Sequence, residues 1–247
     1  MKRFISWQVL LALSLISLSV FFYLLHYAIF KDAHHIFLYL IGDIAFLFLD
    51  VLIVMLVLHR LLVMREKQSM LKKLNMVIGT FFSEVGADLL RKCAQFDRGL
   101  VSFSHQLIIN NEWTSKDFLR VRKNIGNHVA VINSKQGNLA EVRDFLVSKR
   151  QFLLSLLENS NLLEHESFTN LLWAVFHLTD ELSRRCDIDK LPENDYRHLS
   201  GDIQRVYQHL ILQWLDYMRH LQLDYPYLFS LAIRTNPFDQ HASVEIP

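Results

Sequence analysis

The sequence predicts an all-α protein: an N-terminal transmembrane helical hairpin followed by a cytoplasmic helical bundle. Three observations predict it. Two long apolar runs fill the first 63 residues. None of the four prolines precedes Pro192, and the seven glycines are scattered, so the tight turns that a sheet requires are missing. From residue 71 onward apolar residues recur at helical spacing.

The first run, FISWQVLLALSLISLSVFFYLLHYAIF, covers 4–30. A helix needs ~20 apolar residues to cross the hydrocarbon core, so this run is long enough to span with tilt. It is too long for a signal-peptide core, and no small-x-small cleavage site follows it. The second run, IFLYLIGDIAFLFLDVLIVMLVLHRLLV, covers 36–63. The link KDAHH is short, so the two helices should be antiparallel neighbours. Lys2 and Arg3 precede the first span. Arg60, Arg65, Lys67, Lys72 and Lys73 end or follow the second, with Glu66 as the one acid among them. Basic flanks face the cytoplasm, so both termini are expected inside and the link outside. Trp7, Tyr23, Tyr27 and Tyr39 fall near the expected interfaces.

Asp43 and Asp50 stand inside the second run. Seven residues is close to two helical turns, so both lie on one face, roughly 10 Å apart along the axis; Val54, Val57 and Leu61 continue it. A carboxylate at mid-membrane costs several kcal/mol, so this face should turn from lipid. Three readings stay open. The pair lines an ion or proton path or a cation site, or it is protonated and bonds Ser14, Ser17 and Ser19 of the first span, or Asp43 simply reaches the outer headgroups. Asp32, His26, His34 and His35 near the link read either as the start of a metal site or as a polar turn.

The division expected is a two-span hairpin over 1–63, a juxtamembrane amphipathic helix over 64–92, a cytoplasmic bundle over 93–235 and a tail over 236–247. The amphipathic stretch either continues the second span or bends at Gly79 and lies on the membrane. Within the bundle, helices are expected over 87–109, from Thr114 and Asp117, from Asn138 and Glu141, over 168–185, over 193–222 behind Pro192, and behind Pro226. Residues 123–138 read as a surface loop. Connections of this length suit an antiparallel bundle. Trp173, Phe176, Trp214, Tyr217, Tyr225, Tyr227 and Phe229 recur at helical spacing and read as core.

The chemistry-bearing patterns are sparse. There is no phosphate-binding glycine loop, no nucleophile elbow and no paired-cysteine zinc motif. Asp195-Tyr-Arg-His198 is a single distant relative of the Glu-x-x-His of di-iron bundles. His177 and Glu181 stand one turn apart beside Asp180, a spacing that twelve histidines produce by chance. No cofactor, metal or catalytic residue is therefore expected, and the protein reads as a non-enzyme. Cys93 and Cys186 read as buried, reduced thiols. A net charge of +1 gives no field that would draw nucleic acid.

The segments LNMVIGTFFSEVGADLLR and HLQLDYPYLFSLAIRTNPFD resemble parts of uncharacterised prokaryotic inner-membrane proteins with two N-terminal spans and a helical cytoplasmic domain. The resemblance covers most of the chain, implies a prokaryotic inner membrane and transfers no site residue. The expectation that follows is a membrane-anchored sensor or scaffold acting through its cytoplasmic bundle. Its partners would be the lipid bilayer, further copies of itself and a cytoplasmic protein. The alternative is a subunit of a small oligomeric cation channel or transporter, with Asp43 and Asp50 lining the path.

Overall fold

The structure is a computed structural model that describes residues 7–99, 104–127, 130–159, 162 and 165–245. Lys2 and Arg3 lie outside the described residues. Among those described, the chain is all-helical, and its one extended pairing is an isolated bridge between Asp97 and Ile132. It divides into two compact units, 1–67 and 68–247.

In the first unit, α1 covers Trp7–Phe30 and α2 begins at Ala33. Both are long and apolar enough to cross a membrane. The turn between them occupies two residues. Lys31 takes φ 52°, the left-handed conformation that closes a helix C-terminus, and its N–H reaches the Tyr27 carbonyl at 2.9 Å. Asp32 Oδ1 then accepts from the His34 and His35 backbone N–H groups at 2.9 and 3.2 Å, capping α2. Asp32 therefore serves the turn. The His26 and His35 rings stack at 5.8 Å, and His35 meets Tyr39 at 4.6 Å.

α2 runs over Ala33–Phe81, through the boundary between the units. A π-helical turn, Phe82–Gly86, continues it into α3, Ala87–Ala94. The amphipathic stretch is thus a continuation of α2, with no break at Gly79. Its apolar face, Leu74, Ile78, Phe81, Phe82, Val85, Leu89 and Leu90, is buried in the core of the second unit. The wide π turn aims two adjacent rings inward. Phe81 meets Phe168 edge-on at 5.3 Å, and Phe82 stacks on Tyr217 at 5.1 Å. Gly86 permits this: a Cβ there would lie 2.5 Å from Phe82 Cδ1 and 2.9 Å from Phe81 Cε1.

Among the described residues, the rest of the second unit includes a short 3₁₀ turn, Ser104–Leu107, and five helices. These are α4, Ser115–Asn127; α5, Leu139–Leu157; α6, Glu166–Ser183; α7, Glu193–Asp224; and α8, Pro226–Arg234. α7 is the hub, packed against α3, α4, α6 and α8. It buries Leu199, Ile203, Val206, Tyr207, Leu210, Trp214 and Met218, and a large apolar side chain so buried contributes about 1.5–3 kcal/mol. The local starts follow their sequence signals. Asn138 Oδ1 caps α5 by accepting from Glu141 N–H at 2.9 Å. Asp117 Oδ2 accepts from the Thr114 N–H and hydroxyl at 2.9 and 2.6 Å.

Four expectations are corrected. The helix expected over 87–109 ends at Ala94, because Phe96 turns in to full burial and packs flat on Gly137, where a Cβ would lie 2.5 Å from the ring. Cys186 is exposed just beyond α6; Cys93 is fully buried, and burial pushes its thiol up to about 12. The stretch expected as a tail is anchored at its start: buried Asn236 donates to the Leu107 carbonyl at 2.8 Å, and Phe238 packs on Trp214. Trp173 and Tyr227 are exposed, whereas Trp214 and Phe229 belong to the core.

Two glycines make opposite predictions. Gly86→Ala forces a methyl into rings that cannot retreat and should destabilise the second unit by about 1–3 kcal/mol. Gly201 lies within α7 with open space around it. Gly201→Ala should therefore stabilise by about 0.5–1 kcal/mol. Thermal melts of the purified variants, with Tm falling for the first and rising for the second, check both.

Candidate functional site

Asp43 and Asp50 are exposed on α2. Among the described residues, no hydrogen bond or ion pair joins either to Ser14, Ser17 or Ser19. Arg60, Arg65, Lys67, Lys72 and Lys73 are also exposed, and among the described residues none of them forms an ion pair. Among the described residues, no hydrogen bond or ion pair brings these side chains together.

The structure does gather titratable groups elsewhere, between α6 and α7. On α6 the buried stripe Leu171, Leu172, Val175, Leu178, Thr179 and Leu182 faces the core. His177 and Glu181 lie beside that stripe, one turn apart. On α7, Leu199, Ile203 and Val206 face the core, with His198 and Asp202 one turn apart on the flank. The helices run antiparallel, so His177 meets Asp202 and Glu181 meets His198.

Asp202 is the centre of the cluster. Its side chain is 4% exposed, against 47% for His177 and 51% for His198. Asp202 Oδ1 accepts from Arg205 at 3.1 Å. Asp202 Oδ2 is buried with no hydrogen-bond partner, yet it lies 3.2 Å from His198 Nε2 and 3.6 Å from His177 Nε2. The two imidazole nitrogens and the carboxylate oxygen all fall within 4.8 Å of one another. This oxygen thus has two ring nitrogens at ion-pair range but no hydrogen bond, and a cation or a better-placed donor would satisfy it.

Glu181 flanks the group, its Oε2 3.5 Å from His198 Nε2. Arg185 donates to the same oxygen at 2.7 Å. That hydrogen bond holds the Glu181 carboxyl below its ordinary range, against the opposing push of burial. Arg185 Nε is itself buried without a hydrogen bond, 3.8 Å from Asp195 Oδ2.

Two family models match the chain. "MJ1433, N-terminal helical domain" matches residues 2–62, and "Uncharacterized protein MJ1433, C-terminal helical domain" matches 70–234. Uncharacterized protein MJ1433 of Methanocaldococcus jannaschii is 43% identical over 96% of this chain and 96% of its own length. The chain belongs to the MJ1433 family. The two MJ1433 helical domains fall within the two compact units of the structure. No solved structure matches the chain.

For this MJ1433-family chain, the sequence singled out the pair His177 and Glu181, and His198 with Asp195, assigned neither to a site, and did not point to Asp202. The signal was present as two consecutive pairs at a spacing of four, His-x₃-Glu and His-x₃-Asp, on successive helices. What the sequence lacked was the rotation of α6 against α7 that sets one pair facing the other.

The Glu181 shift fixes a pH dependence. A carboxyl whose folded pKa is depressed contributes stability that is present above its unfolded pKa and lost as pH falls through the folded one. Glu181→Gln should therefore lower Tm at neutral pH. The gap to the unaltered protein should narrow as pH drops below the ordinary value of 4.5. Melting curves of both proteins between pH 7 and 3 measure this.

Proposed function

We propose that the protein is a membrane-anchored helical module, held by its N-terminal hairpin and acting as a sensor or scaffold through its C-terminal unit. One observation carries the reading. Of the residues from Trp7 to Ser69 whose burial is described, only His26, Ile36 and Leu40 are partly covered; all others are exposed. Exposed apolar patches of more than a few hundred Å² mark interaction surfaces, and two apolar helices of spanning length fit a bilayer.

The charge pattern supports an orientation. Arg60, Arg65, Lys67, Lys72 and Lys73 cluster at one end of the apolar part of α2, where an anionic cytoplasmic leaflet would hold them. Lys31 is the basic residue of the opposite turn. Both termini then lie on the cytoplasmic side of a prokaryotic plasma membrane.

A second reading has an observation of its own. Asp43 and Asp50 are exposed on α2, and a carboxylate facing lipid is costly. If several hairpins surround an axis, these residues would form carboxylate rings favouring cations.

The mass of the assembly in lipid nanodiscs, read by native mass spectrometry, separates the two. A monomer or dimer, with no cation flux in proteoliposomes, is expected. A ring of four or more copies, conducting cations and silenced by Asp50→Asn, would overturn the anchored-module reading in favour of the channel.

A further inference from the structure

We propose that His177, His198 and Asp202 form a binding site for one divalent first-row transition ion of the Zn²⁺ class. The site stands on the geometry between α6 and α7 and holds whether or not the hairpin spans a membrane.

The donor set selects this class. Two imidazole nitrogens and one carboxylate oxygen suit Zn²⁺ and its neighbours, whereas Ca²⁺ and Mg²⁺ demand shells of oxygen. The spacing also fits. Metal–ligand bonds of ~2.0–2.2 Å place tetrahedral ligand atoms ~3.4 Å apart. Asp202 Oδ2 lies 3.2 Å from one Nε2 and 3.6 Å from the other. The ring nitrogens and the oxygen lie within 4.8 Å of one another, so a central ion draws the two half-exposed rings together by up to ~1.4 Å to meet all three.

The surroundings argue for a ligand over a plain charge pair. Asp202 Oδ2 is buried and lacks a hydrogen bond, although two ring nitrogens stand near it. Arg205 occupies the other oxygen at 3.1 Å, orienting the carboxylate as an outer-shell partner does. The two histidines are half exposed, so an ion can enter from solvent and keep a water in the fourth position. Glu181 Oε2, steadied by Arg185, stands beside that position and can accept a hydrogen bond from the water. Three protein ligands and an exchangeable fourth make an open site. Such a site reports metal availability to the fold, because binding stabilises the folded state.

The test uses the full chain, without a histidine tag, stripped with a chelator in detergent and titrated with Zn²⁺ against a chromophoric competitor. One equivalent should bind per chain and raise Tm, and Co²⁺ should give visible d–d absorption of a tetrahedral site. His198→Gln alters a half-exposed side chain, so the metal-free variant should melt normally while its affinity falls at least ~100-fold, beyond the ~10–100-fold of an outer-shell change. Asp202→Asn should lose binding similarly. His34→Gln with His35→Gln, in the first unit, should leave binding unchanged. Absence of stoichiometric Zn²⁺ binding would overturn the proposal, as would affinity unchanged from the unaltered protein in both His198→Gln and His177→Gln, or binding that disappears with His34 and His35.

Discussion

Apolar side chains left exposed within the first unit, among the described residues, are the constraint on which the rest depends. From Trp7 to Ser69 Leu, Ile, Val and Phe dominate, and nearly all stand exposed. In water each large apolar side chain forgoes about 1.5–3 kcal/mol of burial. The second unit, by itself, has its own core built on α7. On the proposed reading, lipid is the apolar partner that covers the first unit.

The second unit is organised by a different economy of contacts. α2, the π turn and α3 form one continuous helical stretch from Ala33 to Ala94, whose last third is a core element. Its entry into the core depends on Gly86, which lets Phe81 and Phe82 turn inward together. α7 then serves two roles. One face carries the core, and its flank brings His198 and Asp202 to the α6 residues His177 and Glu181. Polar ties close the periphery: Asn75 meets His220 at 3.2 Å, and Arg122 meets Asp216 at 2.6 Å.

Much of the helical pattern was legible in the sequence because its signals are local. Asn138 and Glu141 cap α5, Pro192 precedes α7 and Pro226 opens α8, each within a turn of the helix it starts. The end of α3 was not legible. It is set by Phe96 docking on Gly137, some forty residues away, and by the bridge from Asp97 to Ile132. Trp173 was misread because periodicity names an apolar face without saying how far it extends, and Cys186 because residue type alone does not place a thiol just beyond the end of α6. The candidate site was half legible. Its i,i+4 pairs are written in the sequence, but their meeting, and the burial of Asp202 that gives them chemical weight, arise only from packing.

Insertion of the hairpin with the turn outside is the central claim, and site-specific thiol labelling tests it most directly. Cys186 is exposed and Cys93 is buried, so the natural chain already carries one reporter on the second unit. A variant with Cys186→Ser and Ala33→Cys places the reporter at the turn. With a membrane-impermeant maleimide on intact spheroplasts, the account predicts labelling of Ala33→Cys before lysis and of Cys186 only after it. Labelling of Cys186 in intact spheroplasts, or of Ala33→Cys only after lysis, would contradict it.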